Sequence, residues 1–232
     1  DRFAEYSPYD GEIAYADEVV GRLVHFLKAH QMYDRSTILL LSDHGEGLGD
    51  HGEQQHGLFV YDEAIRVPLI VKQEGNAGSG RRVSDLVQHI DLVPTILDLV
   101  KAPVPGNLRG RSLKPLLDGS GRIPEPTVYS EAHYAKAHFG WGDMTALTAS
   151  RFRYIRAPRE ELYDITKDAA ERVNLSGRET EALKTLSAEL TRVAGPVEGG
   201  AEAQAGLTDP KDKPQTLDTY RRALDLVGDR KW

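Results

Sequence analysis

Residues 42–57 read Ser-Asp-His-Gly-Glu-Gly-Leu-Gly-Asp-His-Gly-Glu-Gln-Gln-His-Gly. Three of the chain's eight histidines, His44, His51 and His56, fall in this stretch beside Asp43, Glu46, Asp50 and Glu53. An Asp followed directly by a His offers one hard oxygen and one borderline nitrogen donor. That pair suits zinc, manganese or another divalent ion, and a mainly oxygen site also holds calcium. Glycines at 45, 47, 49, 52 and 57 let the backbone bend sharply and come close to a ligand. The residue types leave a second reading open, a solvated acidic loop whose histidines hydrogen-bond locally.

Flanking elements must position this loop. The apolar run 37–41 is continuous rather than alternating, which predicts a central parallel strand covered on both faces. In open α/β sheets ligands bind beyond the carboxyl ends of strands, where the loop starts. Residues 67–71 predict a second strand. Upstream, Ile13, Ala16, Val20, Leu23, Val24 and Leu27 form one apolar stripe of a helix over 11–30. Asp91 is a candidate N-cap for a helix over 92–100, and 112–117 predicts a short helix. From residue 127 the texture changes to short extended runs at 127–129, 144–148, 152–155 and 162–165. The three-residue connection at 149–151 makes them antiparallel. Residues 179–193 predict an amphipathic helix, 195–214 a linker and 216–227 a further helix. The expected class is α/β, a mainly parallel sheet flanked by helices, with a small antiparallel C-terminal subdomain. The expected division is 1–125, 126–176 and a helical tail with linker over 177–232.

The chain has 232 residues, 40% of them hydrophobic and 28% charged, with a formal net charge of −7 and no cysteine. That content belongs to a folded chain. Zero Cys removes disulfide scaffolds, thiolate zinc sites and cysteine nucleophiles encoded within it. No run reaches the ~18 apolar residues of a membrane helix, so no membrane segment is expected. The acidity argues against nucleic-acid binding. Arg151, Arg153, Arg156 and Arg159 interleave with Phe152 and Tyr154, and that alternation predicts a solvated strand face. His25, His30, His89 and His133 read as structural or surface residues. Arg66, just before a strand, reads as a structural ion-pair partner sooner than an anion ligand. No phosphate-binding glycine motif and no Gly-x-Ser-x-Gly elbow occurs. Beginning Asp1-Arg2-Phe3, the chain reads as a piece of a longer one.

The loop and its flanks together resemble the sulfatase branch of the alkaline phosphatase superfamily. The matching blocks are Tyr9-Asp10-Gly11-Glu12-Ile13, the 42–57 loop, Tyr61-Asp62-Glu63 with Arg66-Val67-Pro68-Leu69-Ile70, His89-Ile90-Asp91-Leu92-Val93-Pro94-Thr95 with Gly110-Arg111-Ser112-Leu113, and Glu161-Leu162-Tyr163-Asp164 with Asp168, Glu171 and Asn174. They run in order over about residues 9–176, the C-terminal half of a catalytic domain. The resemblance implies that Asp43 and His44 are one pair of metal ligands. Calcium is the favoured ion for a sulfatase, with manganese or zinc as alternatives. It places His56 where many sulfatases carry a lysine that holds the ester's oxyanion, and gives Glu46 and His51 supporting or structural roles. A His there is shared with relatives acting on phosphate esters and phosphoethanolamine groups. The remaining acidic ligands and the nucleophile, a formylglycine made from Cys or Ser, or a Thr in transferase relatives, are expected in an N-terminal half that nothing here matches. The implied activity is hydrolysis of a small-molecule or glycan sulfate ester, with a phosphate or phosphonate ester hydrolase or a phosphoethanolamine transferase as the alternative. Export or a periplasmic location goes with it. A different reading is a non-catalytic interaction piece. Thr219-Tyr220-Arg221-Arg222-Ala223-Leu224 resembles the opening of a helical-repeat array, which would supply a protein partner.

Overall fold

The computed structural model describes residues 6–124 and 126–196. The expected helix 216–227, the helical-repeat opening and nearly all of the linker 195–214 lie outside the described residues. Helix α1 (Pro8–Ala29) starts where Ser7 accepts a hydrogen bond from the Asp10 amide, with Pro8 in its first turn. Its apolar stripe does not meet a core: none of its 22 residues is buried.

Strand β1 (Ile38–Leu41) pairs antiparallel with β2 (Leu69–Lys72), Leu40 opposite Ile70. This corrects the expected parallel neighbour for 37–41, and Leu40 is exposed rather than covered. The reason lies in the connection. The Gly45 amide donates to the Ala64 carbonyl at 2.8 Å, so the chain is still at the carboxyl end of β1 when it re-enters the sheet. A parallel partner needs a crossover back to the other end. The intervening helix α2 (Asp62–Ile65) is a single turn and cannot supply one.

Helices α3 (Leu92–Leu99) and α4 (Lys114–Asp118) follow. Thr95 Oγ1 ties them by accepting from the Leu113 amide at 2.9 Å. Asp91 precedes α3 without capping it. Its buried carboxylate instead accepts from the Gln88 and Arg111 amides at 3.1 and 2.8 Å.

The second sheet holds β3 (Val128–Ala132), β4 (Met144–Thr148), β5 (Phe152–Arg156) and β6 (Glu161–Asp164), antiparallel in that order. Helix α5 (Tyr134–Phe139) links β3 to β4. The core sits on both faces of this sheet. Met144, Ala146 and Ile155 pack against Leu58, Phe59, Val60 and Tyr61. On the other face Leu147, Tyr154 and Leu162 pack against Leu186 and Leu190 of α6 (Thr180–Ala194). Thus the segment leaving the Gly-rich loop is itself part of the antiparallel sheet's core. The architecture is α/β with an antiparallel C-terminal sheet.

Arg153 departs from the solvated face expected for it. It is 4% exposed and donates to Thr148 Oγ1, Glu171 Oε1 and Asp62 Oδ1 at 2.8–2.9 Å. Strand alternation puts it under the loop exit, where two carboxylates face it.

Candidate metal centre

Beyond Leu41 the chain turns at once. Ser42 Oγ donates to the His44 carbonyl at 2.6 Å, and Asp43 Oδ1 accepts from the His44 amide at 3.0 Å. Behind the turn, His89 Nε2 donates to the Ser42 carbonyl at 2.9 Å, which ties the start of α3 to the strand end. The backbone then passes against α2. A Cβ on Gly45 would lie 1.9 Å from the Glu63 carbonyl oxygen, so only glycine permits that approach.

These contacts set the tautomer of His44. Its Nδ1 lies 2.9 Å from the Gly45 carbonyl oxygen, which can only accept, so Nδ1 carries the proton. The Nε2 lone pair then stands 3.6 Å from Asp43 Oδ2. A carbonyl fixing Nδ1–H while Nε2 addresses a cation is the usual arrangement of a metal-ligating imidazole. Asp43 is the exposed member of the pair. Its own backbone N–H holds its carboxyl below the ordinary carboxylate value. The pair lines a cavity of about 1010 Å³ with Glu46, Arg66 and His89.

The His56 ring lies 3.8 Å from that of His44, centroid to centroid, so the three residues singled out in the sequence share one place. His56 Nδ1 is 3.2 Å from Glu46 Oε2, which orients the ring from behind. Glu46 Oε1 is buried and has no hydrogen-bond partner among the described residues. An orphaned carboxylate oxygen beside the His56 imidazole leaves negative charge that a cation or an outside donor satisfies. The donor set therefore fits a divalent cation, on one side only. Among the described residues no group of three or more His, Cys, Asp or Glu is arranged to hold a metal.

His51 does not join them. Its ring stacks on Tyr61 at 3.8 Å and meets Glu63 Oε1 and the Glu171 carbonyl at 2.6 and 3.2 Å. Arg66 projects into solvent with a 3.5 Å ion pair to Asp62 and borders the cavity. Trp141 lies in the core. Sequence reasoning named Glu53 without a role of its own and placed Arg153 on a solvated face, and both are buried. The Glu53 carboxylate, 3% exposed, accepts from the Leu58 and Phe59 amides at 2.8 and 3.1 Å and so closes the loop. Burial outweighs those bonds and pushes it up to about 7. Its one sequence signal was an acidic residue just before an apolar run.

A family model described as Sulfatase matches residues 2–102. The N-acetylglucosamine-6-O-sulfatase of Bacteroides thetaiotaomicron is 30% identical over 189 residues, 76% of this chain and 33% of that protein. A phosphonate monoester hydrolase of Agrobacterium radiobacter superposes with a TM-score of 0.67 at 27% identity, over 88% of this chain and 42% of its own. A protein solved in complex with its substrate, D-glucosamine-2-N,6-O-disulfate, gives 0.66 at 27% identity, over 79% and 39%. The described residues share the alkaline-phosphatase-like α/β fold of these neighbours. The chain spans about a third of the length of the curated relatives it matches.

Proposed function

We propose that this chain, which belongs to the sulfatase family, supplies the Asp43–His44 part of a divalent-metal site for hydrolysis of a sulfate ester. The observation that carries this reading is the His44 tautomer, with Nδ1–H held by the Gly45 carbonyl and Nε2 turned towards Asp43. A cation bound there polarises the ester oxygen and lowers the pKa of a hydroxyl nucleophile. Calcium is the proposed ion, with manganese or zinc as alternatives, and the proposed nucleophile is a formylglycine outside these residues. His56, whose Nδ1–H donates to Glu46, would act as the imidazolium, donating through Nε2 to the transferring group and stabilising charge that builds in the transition state. A sulfated glycan is the proposed substrate, supported by the N-acetylglucosamine-6-O-sulfatase and by the disulfated glucosamine complex. Export or a periplasmic setting, and a protein partner recruited through a helical-repeat region opening at residues 219–224, complete the proposal. No described helix is long and apolar enough to cross a membrane.

The phosphonate monoester hydrolase neighbour, together with this chain's own His56, favours a second reading in which a phosphate or phosphonate ester is cleaved. The test uses the polypeptide carrying the complete catalytic domain. Asp43→Ala and His44→Ala should each abolish metal-dependent turnover of aryl sulfate and lower the bound metal by elemental analysis, with the circular dichroism spectrum kept. Unchanged metal content in both variants removes the ligand role. A higher kcat/KM for a phosphonate monoester than for the sulfate ester decides for the second reading. The 232-residue chain alone should cleave neither.

A further inference from the structure

A dense group of titratable and aromatic side chains lies away from the Gly-rich loop, where the chain crosses from β3 to β4. His133 Nδ1 stands 3.0 Å from Asp143 Oδ1, and its Nε2 stands 3.2 Å from Glu131 Oε2. Lys136 Nζ donates to Asp143 Oδ2 at 2.7 Å. Carboxylates at both ring nitrogens call for a proton on each, and the bond to Asp143 raises the His133 pKa above its ordinary value. Two cations thus face two carboxylates, and their charges cancel. Glu131, His133 and Lys136 are exposed, with Asp143 half-buried behind them.

Helix periodicity sets an aromatic pair beside these charges. Going round α5, Lys136, His133, Ala137, Tyr134 and His138 follow one another over an arc of about 200°. The Tyr134 and His138 rings stack with centroids 4.0 Å apart, and His138 is exposed. Ala137, between the charged and the aromatic ends, presents only a methyl. Ala135 and Phe139, on the opposite side, enter or pack on the core. Tyr134 and Phe139 pack on the cluster that holds Leu58 and Phe59, two and three residues after His56. The arc and His56 therefore flank the same segment.

Carboxylates interleaved with N–H donors match a row of hydroxyls, which both donate and accept. An aromatic face packs on the C–H face of a pyranose ring. Because the ionic group is already neutral, an added anion meets no surplus positive charge there.

We propose that this arc of α5 binds a neutral, hydroxyl-rich sugar ring. Glu131 and Asp143, held in place by His133, accept from neighbouring hydroxyls, Lys136 donates, and Tyr134 with His138 covers the ring's apolar face. Such a ring is the unsulfated neighbour of a sulfated sugar. The proposal deepens the glycan reading of the substrate and rests on it, although the binding itself uses no metal.

The test uses the polypeptide carrying the complete catalytic domain, in chelator-containing buffer, with methyl β-D-glucopyranoside and D-glucuronate as probes. Amide NMR shifts over 131–143 should titrate with the glucoside and require at least fivefold more glucuronate. His138→Ala should raise the Kd for the glucoside at least fivefold. Glu131→Gln removes one carboxylate and should bring glucuronate level with the glucoside or ahead of it. Lys184→Ala, exposed on α6, should change neither. Absence of shifts over 131–143, glucuronate binding as tightly as the glucoside to wild type, or an unchanged Kd in His138→Ala overturns the proposal. A domain that binds the glucoside here yet cleaves no aryl sulfate once metal is restored counts against the sulfate-ester reading alone.

Discussion

His51 and Glu171, 120 positions apart, meet through the ring Nε2 and the backbone carbonyl at 3.2 Å, and each holds a left-handed backbone, with φ of 49° and 50°. Glu171 is 2% exposed, and its carboxylate accepts from Arg153 and from the Asp62 amide at 2.8 and 2.7 Å. The Gly-rich loop is thereby pinned to the segment that follows β6. The Asp43–His44 pair sits at the other end of that loop, so its geometry depends on a strut built on the antiparallel sheet.

His51→Ala should cost about 2–3 kcal/mol, the sum of two hydrogen bonds and a ring stack. His51→Gly loses the same contacts but relaxes the left-handed backbone, and should be about 1 kcal/mol more stable than His51→Ala. Urea unfolding of the two variants beside wild type measures this. The reverse order would mean that residue 51 does not keep its positive φ.

Arg153 and Glu171 form a buried pair with Asp62 as a third member. Glu171→Ala should destabilise by about 3–5 kcal/mol, because it leaves a buried guanidinium short of its partner. In a double-mutant cycle with Arg153→Ala the coupling should exceed 1 kcal/mol. Additive losses would show that the two side chains act independently.

Glu53 gives stability a pH dependence of known sign. Its carboxyl stands at about 7 in the fold against an ordinary 4.5, so the folded state holds the proton more tightly. The contribution is full below pH 4.5 and is lost as pH rises through 7, amounting to about 3 kcal/mol. The unfolding free energy of wild type should therefore fall from pH 4.5 to 8 by that much more than that of Glu53→Gln. Parallel curves for the two proteins would place the Glu53 carboxyl at its ordinary value.

Two glycines of the loop separate close approach from backbone sign. Gly45→Ala puts a methyl 1.9 Å from the Glu63 carbonyl oxygen and must move α2 or the turn at Ser42–Gly45. At Gly52, φ is +85° but nothing lies within 4 Å of an added Cβ. Gly52→Ala should cost about 1–2 kcal/mol, the left-handed penalty of an L-residue. Gly45→Ala should cost more and should also lower metal content in the complete domain. Calorimetry with elemental analysis of both variants checks the order.

His56→Ala in the complete domain should lower kcat by about 10²-fold, the usual effect of deleting one oxyanion donor. Glu46→Ala should reproduce part of that loss, because it releases the ring's Nδ1 contact, and Glu46→Gln should restore some of it. Turnover per folded molecule distinguishes this from a purely structural His56, whose removal would change stability alone.

Local signals sufficed for much of this molecule. The apolar stripe read over 11–30 becomes most of α1, the apolar run at 37–41 becomes β1, and the short runs from 144 to 165 become β4, β5 and β6, since each element is specified by residues within it. The Asp43-His44 pair was legible for the same reason: adjacent donors need no distant partner to be brought together. What local signals cannot carry is which surface covers which. Strand 37–41 reads as buried on both faces, yet it pairs antiparallel with β2, because the loop's long-range bond from Gly45 to Ala64 returns the chain at the same end. Arg153 reads as solvated until Asp62 and Glu171 arrive from other parts of the chain. His51, Glu53 and Glu171 acquire their environments only when 58–61 is pressed into the antiparallel sheet. Burial and pairing of charges depend on contacts remote in sequence, so tertiary structure alone decided the strut behind the site, while the sequence determined the donors in front of it.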